Sequence, residues 1–460
     1  MYQDLSFMNV PLPEDVLKLK IYGDYAGAQK MIRYFLEEKD IPQALRKRLE
    51  IEQEVIGVMG GNEYPFTYDE ALEIMTSHLR DFKKEELDYL KEISAADWIY
   101  IDGEVHFQRR FYENLIKTRP DFAKRVIVEN LEDNKENNLN QRLLNENIHY
   151  MKEHGERTVH TRIRSTIKAK KEFEEVGRKV RVYLPIPKVY EQVSNVEIHA
   201  SNPEITYIAP ADAPQRTVYF ETELKENQEF MVDYSFDYHV NYVELDPAKV
   251  SEEQPDFCLE EQAPHILFTP YLKELRDELA GDETNPIILA RRFYDFVTTK
   301  VMYSFMREYF TIECIPEYCA INLKGDCGVQ ALLFITLCRM SGIPARWQSG
   351  LYVTKYYTGC HDWAQFYVAP YGWVFADLSF GGSAWREGDK ERWNYYFGNL
   401  DIFRMPANSE IQKEFMPEKK WLRIDPIDNQ RGEFEYEDHG LRFSQVGVSQ
   451  ELISMEDIEK

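Results

Sequence analysis

The chain has 460 residues, of which 55 are basic and 80 are acidic, so its formal net charge is −25. This length allows two or three domains with substantial cores, and 43% hydrophobic residues is an ordinary composition for a globular protein. The negative charge disfavours anionic partners, so it argues against nucleic-acid binding and against docking on anionic membrane surfaces.

The first part of the chain has the periodicity of amphipathic helices. From about Pro13 to Met59, apolar residues recur three and four positions apart, in the manner of a tetratricopeptide-like hairpin without a second copy at a fixed period. Thr67–Glu70 has the form of a capping box and predicts another helix, and Asp102–Gly103 predicts a short hairpin. We interpret residues 1–132 as a helical accessory domain without a catalytic role.

The next part of the chain changes from helical to alternating patterns. Residues Asn130–Asn147 are rich in Asn, Glu and Lys, which indicates a linker or an exposed helix, and we place a linker at 133–155. Short alternating segments at regular spacing then predict a β-sandwich at residues 156–250. From Pro264 to Val301 the pattern is helical again.

The stretch from Lys324 to Gly381 contains a cysteine, a histidine and an aspartate in an order that suits acyl transfer. Cys327 begins an apolar segment that ends before Gly342-Ile343-Pro344, so we predict a helix with the cysteine in its first turn. Unpaired backbone N–H groups and the positive end of the helix dipole favour a thiolate there. Cys327 is therefore a candidate nucleophile.

A predicted antiparallel hairpin carries the other two residues. Its strands contain His361 and Asp377, joined through Ala369–Gly372. If Trp363 pairs with Asp377, then His361 and Asp377 share one face of the sheet. In that arrangement His361 moves the thiol proton and Asp377 fixes the imidazole tautomer, whereas Asp362 points away from His361.

The six cysteines have no disulfide-framework spacing, which suits reduced thiols; they are Cys258, Cys314, Cys319, Cys327, Cys338 and Cys360. Cys314 and Cys319 with Cys360-His361 could be imagined as a zinc site, but the spacing is wide and a second Cys-x-x-Cys pair is lacking. We therefore expect packing roles for Cys314, Cys319 and Cys360, and we expect no metal and no cofactor. Cys360 should point to the opposite strand face from His361.

The residues around this stretch resemble the transglutaminase-like superfamily. Its catalytic elements run as Gly-x-Cys before a helix, Gly-Ile-Pro-Ala-Arg after it, His-x-Trp on a strand, and Gly-Trp-Val before an aspartate. The corresponding residues here are Gly325–Cys327, Gly342–Arg346, His361–Trp363, and Gly372–Val374 before Asp377. The resemblance implies that Cys327, His361 and Asp377 are nucleophile, base and orienting carboxylate.

The sequence departs from the family at two points. Leu378-Ser379-Phe380 follows the aspartate where the family usually has a proline and a threonine. No tryptophan lies between Trp98 and Trp347, although the animal enzymes use an upstream tryptophan to help stabilise the oxyanion. The backbone N–H of Cys327 is one expected oxyanion donor, with Tyr303 or another group as the second.

These patterns predict an α+β fold. A transglutaminase-like, papain-related catalytic domain occupies residues 262–440, after the β-sandwich and the helical N-terminal domain, and a C-terminal strand and acidic tail occupy 441–460. The N-terminus lacks the basic and apolar regions of a signal peptide, and no stretch has the length of a membrane span. We therefore expect a cytoplasmic protein that does not associate with membranes.

The expected chemistry is attack of Cys327 on an amide of a protein or peptide substrate, which gives a thioester. Thr354–Gly359 and Gly381–Ser383 suggest mobile, wettable loops beside the site, and this favours water as the acyl acceptor. The favoured interpretation is a cysteine protease or amidase. A protein-glutamine γ-glutamyltransferase, with a lysine amine as acceptor, is the first alternative, and a non-catalytic scaffold or binding protein is the second.

Overall fold

The structure is a computed structural model that describes residues 4–127 and 131–458. Residues 1–3 and 128–130 of the predicted accessory domain, and 459–460 of the predicted tail, lie outside the described residues. The α-helices are α1 (Glu14–Ile21), α2 (Tyr25–Glu37), α3 (Gln43–Val58), α4 (Tyr68–His78), α5 (Lys84–Glu92), α6 (Phe111–Thr118), α7 (Pro120–Ala123), α8 (Leu131–His154), α9 (Pro270–Ala280), α10 (Pro286–Lys300), α11 (Ile315–Asn322), α12 (Cys327–Met340), α13 (Leu378–Glu387) and α14 (Lys390–Tyr395).

The strands form five sheets in these described ranges. In chain order they are β1 (Phe66–Thr67), β2 (Trp98–Ile101), β3 (Glu104–Phe107), β4 (Glu156–Ala169), β5 (Lys179–Pro185), β6 (Val193–Asn202), β7 (Tyr207–Ile208), β8 (Thr217–Glu223), β9 (Phe230–Asn241), β10 (Met302–Tyr303), β11 (Lys324–Gly325), β12 (Ala345–Val353), β13 (Thr358–Val368), β14 (Gly372–Ala376), β15 (Phe397–Gly398), β16 (Arg404–Asn408), β17 (Glu433–Tyr436) and β18 (Val446–Asp457). The predicted α+β class is confirmed.

The accessory domain follows its sequence signals closely. The capping box at the start of α4 is present, because the Thr67 backbone N–H donates to Glu70 Oε2 at 2.9 Å and the Thr67 side chain accepts from the Glu70 backbone N–H. The predicted hairpin is formed by β2 and β3, which pair with Ile101 opposite Glu104. Among the helices of the described ranges, none combines the length and the apolar character needed to cross a membrane.

The segment predicted as a linker or an exposed helix is the long helix α8, and it is packed against the core rather than exposed along its whole length. Leu144, Ile148 and Met151 lie four and three positions apart and are buried in the main core. Asn140, on the same helix, accepts hydrogen bonds from Tyr352 and Thr354 of the catalytic domain. The segment is polar in overall composition, but these three residues form a narrow apolar stripe along one side of the helix. That stripe is sufficient to pack the helix against the main core.

The β-sandwich consists of two four-stranded sheets, β17-β5-β8-β7 and β18-β4-β9-β6. Phe230 of β9 meets Phe220 of β8 and Phe434 of β17 between the sheets, with ring centroids 5.7 and 5.6 Å apart. The chain therefore returns to the sandwich after the catalytic domain. The C-terminal strand predicted at 441–460 is present as β18, but it extends to Asp457 through the segment predicted as an acidic tail. It is an edge strand paired along β4, and charged side chains are common on such edges.

The catalytic domain is built on an antiparallel sheet of order β15-β14-β13-β12-β16. Helix α12 covers one face, where Phe334 packs edge-on against Phe366 of β13 at 5.6 Å. The other face meets the sandwich, because Gln192 and Trp363 both donate to Gln348 Oε1 at 2.6 Å. Because successive side chains of a strand point to opposite faces of the sheet, adjacent residues of β13 face α12 and the sandwich in turn.

Candidate active site

Cys327 occupies the first position of α12, as the sequence predicts. Asp326 caps this helix through its Oδ1 atom, which accepts from the Val329 backbone N–H at 3.3 Å and from the Tyr309 hydroxyl. Gly328 permits a close approach, because a Cβ atom there would lie 2.7 Å from Asp362 Oδ2 and 2.5 Å from the Tyr309 hydroxyl. The helix start is thus held tightly against β13.

His361 and Asp377 are in contact, in the arrangement that the hairpin argument predicts. Ala364 pairs with Ala376, so continuing the register puts Trp363 opposite Asp377. His361 Nε2 lies 2.7 Å from Asp377 Oδ2, and both side chains are buried. Asp377 directly follows β14 and caps α13, since its Oδ1 accepts from the Phe380 backbone N–H at 3.0 Å.

Arg404 completes this group, and the sequence analysis missed it. Its Nη1 lies 2.9 Å from Asp377 Oδ2, while its Nε donates to Asp401 Oδ1 at 3.0 Å. The available signal was Asp401-Ile-Phe-Arg404, two opposite charges within an apolar run. Such charges are rarely buried unless they are paired.

The two partners give Asp377 and His361 definite protonation states. Burial raises the pKa of Asp377, but the charges of His361 and Arg404 outweigh it and lower that pKa to about 2. Burial lowers the pKa of His361, and Asp377 offsets only part of that effect. The resting pair is therefore a neutral imidazole bonded to a carboxylate.

The thiol is in a different state from the predicted one. Burial, followed by the nearby carboxyls of Asp362 and Asp326, raises the pKa of the Cys327 thiol well above its ordinary value. Sγ donates to Asp362 Oδ2 at 3.2 Å. The helix dipole is present, but its partial charge falls off within one turn, and two carboxyls beside the sulfur oppose it.

Two cavities meet at the site. One, of about 650 Å³, is lined by Cys327 and Asp362, and the other, of about 530 Å³, is lined by His361. Tyr303, Tyr357 and Cys360 line both. Within residues 4–127 and 131–458, no hydrogen bond joins Cys327 to His361.

The other domains contribute walls to these cavities, although we predicted no catalytic role for the helical domain. Arg109 and Arg110 line the Cys327 cavity, together with residues 425–450. Lys117 and residues of α8 line the His361 cavity. The Asn114 side chain donates to the Phe305 carbonyl at 2.9 Å and accepts from the Phe305 N–H at 2.7 Å, which fixes the helical domain beside the site.

The two segments predicted as loops differ in structure. Gly381–Ser383 is not a loop but part of α13. A Cβ atom on Gly381 would lie 1.9 Å from the Tyr294 hydroxyl, so glycine serves helix packing there. Thr354–Gly359 does contain the turn between β12 and β13, and Tyr357 within it is 55% exposed.

The remaining cysteines take no part in a metal cluster. Cys360 accepts from Arg431 Nε at 3.1 Å, on the strand face opposite to His361, while Cys319 and Cys338 are buried. Across the described residues, no group of three or more His, Cys, Asp and Glu side chains has the arrangement of a metal site. All six cysteines are free.

Comparison with known proteins gives the class of this domain. The model of the transglutaminase-like superfamily matches residues 273–378, a range that contains Cys327, His361 and Asp377. This part of the chain is therefore a transglutaminase-like domain, and the superfamily that it matches supports a cysteine-dependent acyl-transfer enzyme. No protein with a curated description matches the sequence.

Solved structures with a related fold are distant. A protein from Cytophaga hutchinsonii, assigned provisionally as a cysteine protease, is 14% identical with a TM-score of 0.37, over 66% of this chain and 90% of its own. The periplasmic domain of TgpA from Pseudomonas aeruginosa is 13% identical with a TM-score of 0.29, over 53% of this chain and 94% of its own. These values are too low to carry an argument about function.

Proposed function

We propose that the protein hydrolyses amide bonds of peptides or proteins through a thioester on Cys327. The observation that carries the proposal is the position of Cys327 at the wall of a large polar cavity, next to the strand that bears His361 and its partner Asp377. A nucleophile, a base and space for a carbonyl group are the parts that acyl transfer requires.

The reaction begins from two neutral groups. Cys327 Sγ attacks the amide carbon, and the thiol proton passes to His361, whose Nε2 is bonded to Asp377, so Nδ1 is the ring nitrogen proposed to take it. Asp377 stabilises the imidazolium. The backbone N–H of Cys327 and the Tyr303 hydroxyl are the proposed donors to the oxyanion, since Tyr303 lines the cavity beside Cys327.

The second half returns the enzyme to its resting state. The imidazolium gives its proton to the leaving amine, and the acyl group stays on Sγ as a thioester. His361 then accepts a proton from water as the water oxygen attacks the thioester carbon. Collapse of that adduct releases the carboxylic acid, and the proton returns to the thiol.

Water is the favoured acceptor because the Cys327 cavity is polar. Arg110, Arg307, Arg431, Asp425 and Asp428 line it, and its volume of about 650 Å³ would hold about 20 waters at their liquid volume. A thioester in such a cavity is open to hydrolysis. Gly381–Ser383 lies in α13, so the surface that admits water beside the site is the cavity wall and not a loop at these residues.

Amine transfer is the second candidate, and the cavity on the His361 side favours it. That cavity is separate from the one at Cys327 and shares Tyr303 and Tyr357 with it. An amine entering from the His361 side would meet the base before it met the thioester. The two reactions share every step up to the thioester, so the acceptor alone separates them.

The test compares Cys327→Ala with the wild-type protein on peptide and amide libraries, with products identified by mass spectrometry. Cys258→Ala is the matched control, because Cys258 lines neither cavity. We expect hydrolysis that is lost only in Cys327→Ala, with little incorporation of a fluorescent primary amine into protein glutamines. Efficient amine incorporation would establish the transferase, and absence of both activities would favour a scaffold.

A further inference from the structure

Asp362 is a buried carboxyl in direct contact with the candidate nucleophile. It lies on β13 between His361 and Trp363, only 5% exposed. Its Oδ2 accepts the Cys327 S–H at 3.2 Å, and its Oδ1 accepts from Gln430 Nε2 at 2.5 Å. Both oxygens are therefore held in place, and one of them is directed at the sulfur.

The charged groups around this contact are mainly acidic. Asp326 comes from the start of α12, and Asp425 and Asp428 from the segment before β17; all three raise the pKa of Asp362, after burial itself. The side chains that donate to Asp362 are Cys327 and Gln430, and in the described part of the chain it forms no ion pair with a lysine or arginine.

The remaining neighbours do not neutralise Asp362. Tyr303 and Tyr309 stay protonated, because burial and these carboxyls raise the pKa of each phenol well above its ordinary value. Arg431 is directed at Cys360, and His361 is bonded to Asp377. The sulfur therefore has carboxyls on its own side of the strand, and the cation that would stabilise a thiolate is not beside it.

We propose that Asp362 is a positioning residue that holds Cys327 as a thiol, so that the S–H proton leaves only when the sulfur attacks a bound substrate. This role rests on the proposed function in one respect, that Cys327 is the nucleophile. As the pH rises, the charge on the Asp362 carboxyl opposes ionisation of the thiol, and the S–H bond that its Oδ2 accepts fixes the sulfur. As the sulfur–carbon bond forms, the proton goes to His361 on the other side of β13, through the opening where the two cavities meet.

This arrangement separates reaction with substrate from reaction with other electrophiles. Alkylating agents and oxidants react with thiolates much faster than with thiols. An enzyme whose cysteine stays protonated at rest is protected from them. The exposed and reactive thiolate that the helix start alone predicts would have the opposite property.

The test measures thiolate formation directly in the full-length protein. Ultraviolet absorbance of the thiolate and the rate of alkylation by iodoacetamide are followed against pH, with Cys327→Ser subtracted. In the wild type we expect the Cys327 thiolate only above the ordinary cysteine range, about 8.5. In Asp362→Asn the profile should move down by at least about one pKa unit, which gives about tenfold more thiolate near pH 7.

Asp282→Asn is the matched control, because Asp282 is exposed and lines neither cavity; its profile should equal that of the wild type. An unchanged profile in Asp362→Asn would overturn the proposal, and an upward shift would overturn it by making Asp362 a proton acceptor. If the variant does not fold, the wild-type titration decides, since a thiolate already formed at pH 7 contradicts the proposal.

The two proposals fail separately. Absorbance and alkylation need no substrate, so a shifted thiol titration without hydrolysis would disprove the function and leave the role of Asp362 standing. Hydrolysis that depends on Cys327, with an unshifted titration, would do the reverse. Where turnover is measurable, Asp362→Asn should change the pH dependence of kcat more than it changes KM, because the residue acts on the sulfur.

Discussion

Asp362 and Asp377 are two buried carboxyls beside one hairpin, on opposite sides of β13, and their protonation differs. Asp377 lies between His361 and Arg404, and its pKa falls to about 2. Asp362 lies among other carboxyls, and burial with their charges raises its pKa well above the ordinary value. Burial acts in the same direction on both. The charged neighbours make the difference, because His361 and Arg404 lower the pKa of Asp377 whereas further carboxyls raise that of Asp362.

The comparison divides the site into two chemical halves. The half with Arg404 holds a permanent carboxylate against the imidazole, so it can stabilise the imidazolium when the proton arrives. The half with Asp362 holds the proton on sulfur until then. Each half depends on its own charged neighbours, which are Arg404 beside Asp377 and further carboxyls beside Asp362. Exchanging these neighbours should exchange the protonation of the two carboxyls.

The largest effect is expected from Asp377→Asn. The amide removes the charge that supports the imidazolium and leaves His361 without its preferred tautomer, so turnover should fall on the order of 10³ to 10⁴-fold. Peptide hydrolysis under saturating substrate measures it, with circular dichroism to check the fold. The same exchange at Asp362 is the control and should cost far less; equal losses in the two variants would contradict the division of the site.

Arg404→Met should mainly affect stability. It leaves Asp377 and Asp401 buried without their cation, and breaking a buried pair in this way costs about 3–5 kcal/mol of unfolding free energy. Urea unfolding measures the loss. Arg431→Met, which removes an exposed arginine from the other half, should cost less than about 1 kcal/mol; a comparable loss there would show that Arg404 has no special role.

The pH profile should sharpen the comparison further. Burial lowers the pKa of His361, so the neutral base persists to lower pH, and the acid limb of kcat/KM should lie below the ordinary histidine value of about 6.5. The raised pKa of the Cys327 thiol moves the alkaline limb upward. The expected result is a broad plateau between the two limbs. If activity instead fell as the pH rose just above 6, the active form would need a protonated imidazole, which would indicate a thiolate–imidazolium pair at rest.

The smallest effect is expected from Tyr309→Phe. This change removes one hydrogen bond to Asp326, which then keeps its bonds from the Val329 and Met306 backbone N–H groups. We expect a loss of about 1–2 kcal/mol in unfolding free energy, read from thermal or urea unfolding. A loss as large as that of Arg404→Met would mean that the carboxyl-rich half depends on single partners as strongly as the other half does.

The parts of the site that were predictable depend on local signals. The start of α12 at Cys327 follows from its glycine, apolar run and Gly-Ile-Pro ending, and the contact of His361 with Asp377 follows from hairpin register. The same alternation predicts that Asp362 points away from His361. Which partner it then meets depends on where α12 crosses the sheet, and no local pattern contains that information.

The parts that were missed depend on contacts between distant segments. Arg404 reaches Asp377 because β16 pairs with β12. These two strands lie on one side of β13 in the sheet, and β14 lies on the other side. An acidic sequence concealed the length of β18, whose partner β4 lies nearly 300 residues earlier in the chain. Gly381 and Gly382 suggested a loop, but they lie in α13 where a larger side chain would meet Tyr294 or Thr298.

The strands β17 and β18 pair with β5 and β4. The whole catalytic sheet is therefore synthesised after strands β4–β9 of the sandwich and before β17 and β18. While the chain grows, β4 keeps an open edge, and pairings of such long sequence separation form slowly. The Gln430 amide that holds Asp362 arrives with these same strands. Cys327 is therefore translated before Gln430 and the last two strands of the sandwich, and assembly of the sandwich is the step that completes the surroundings of Cys327.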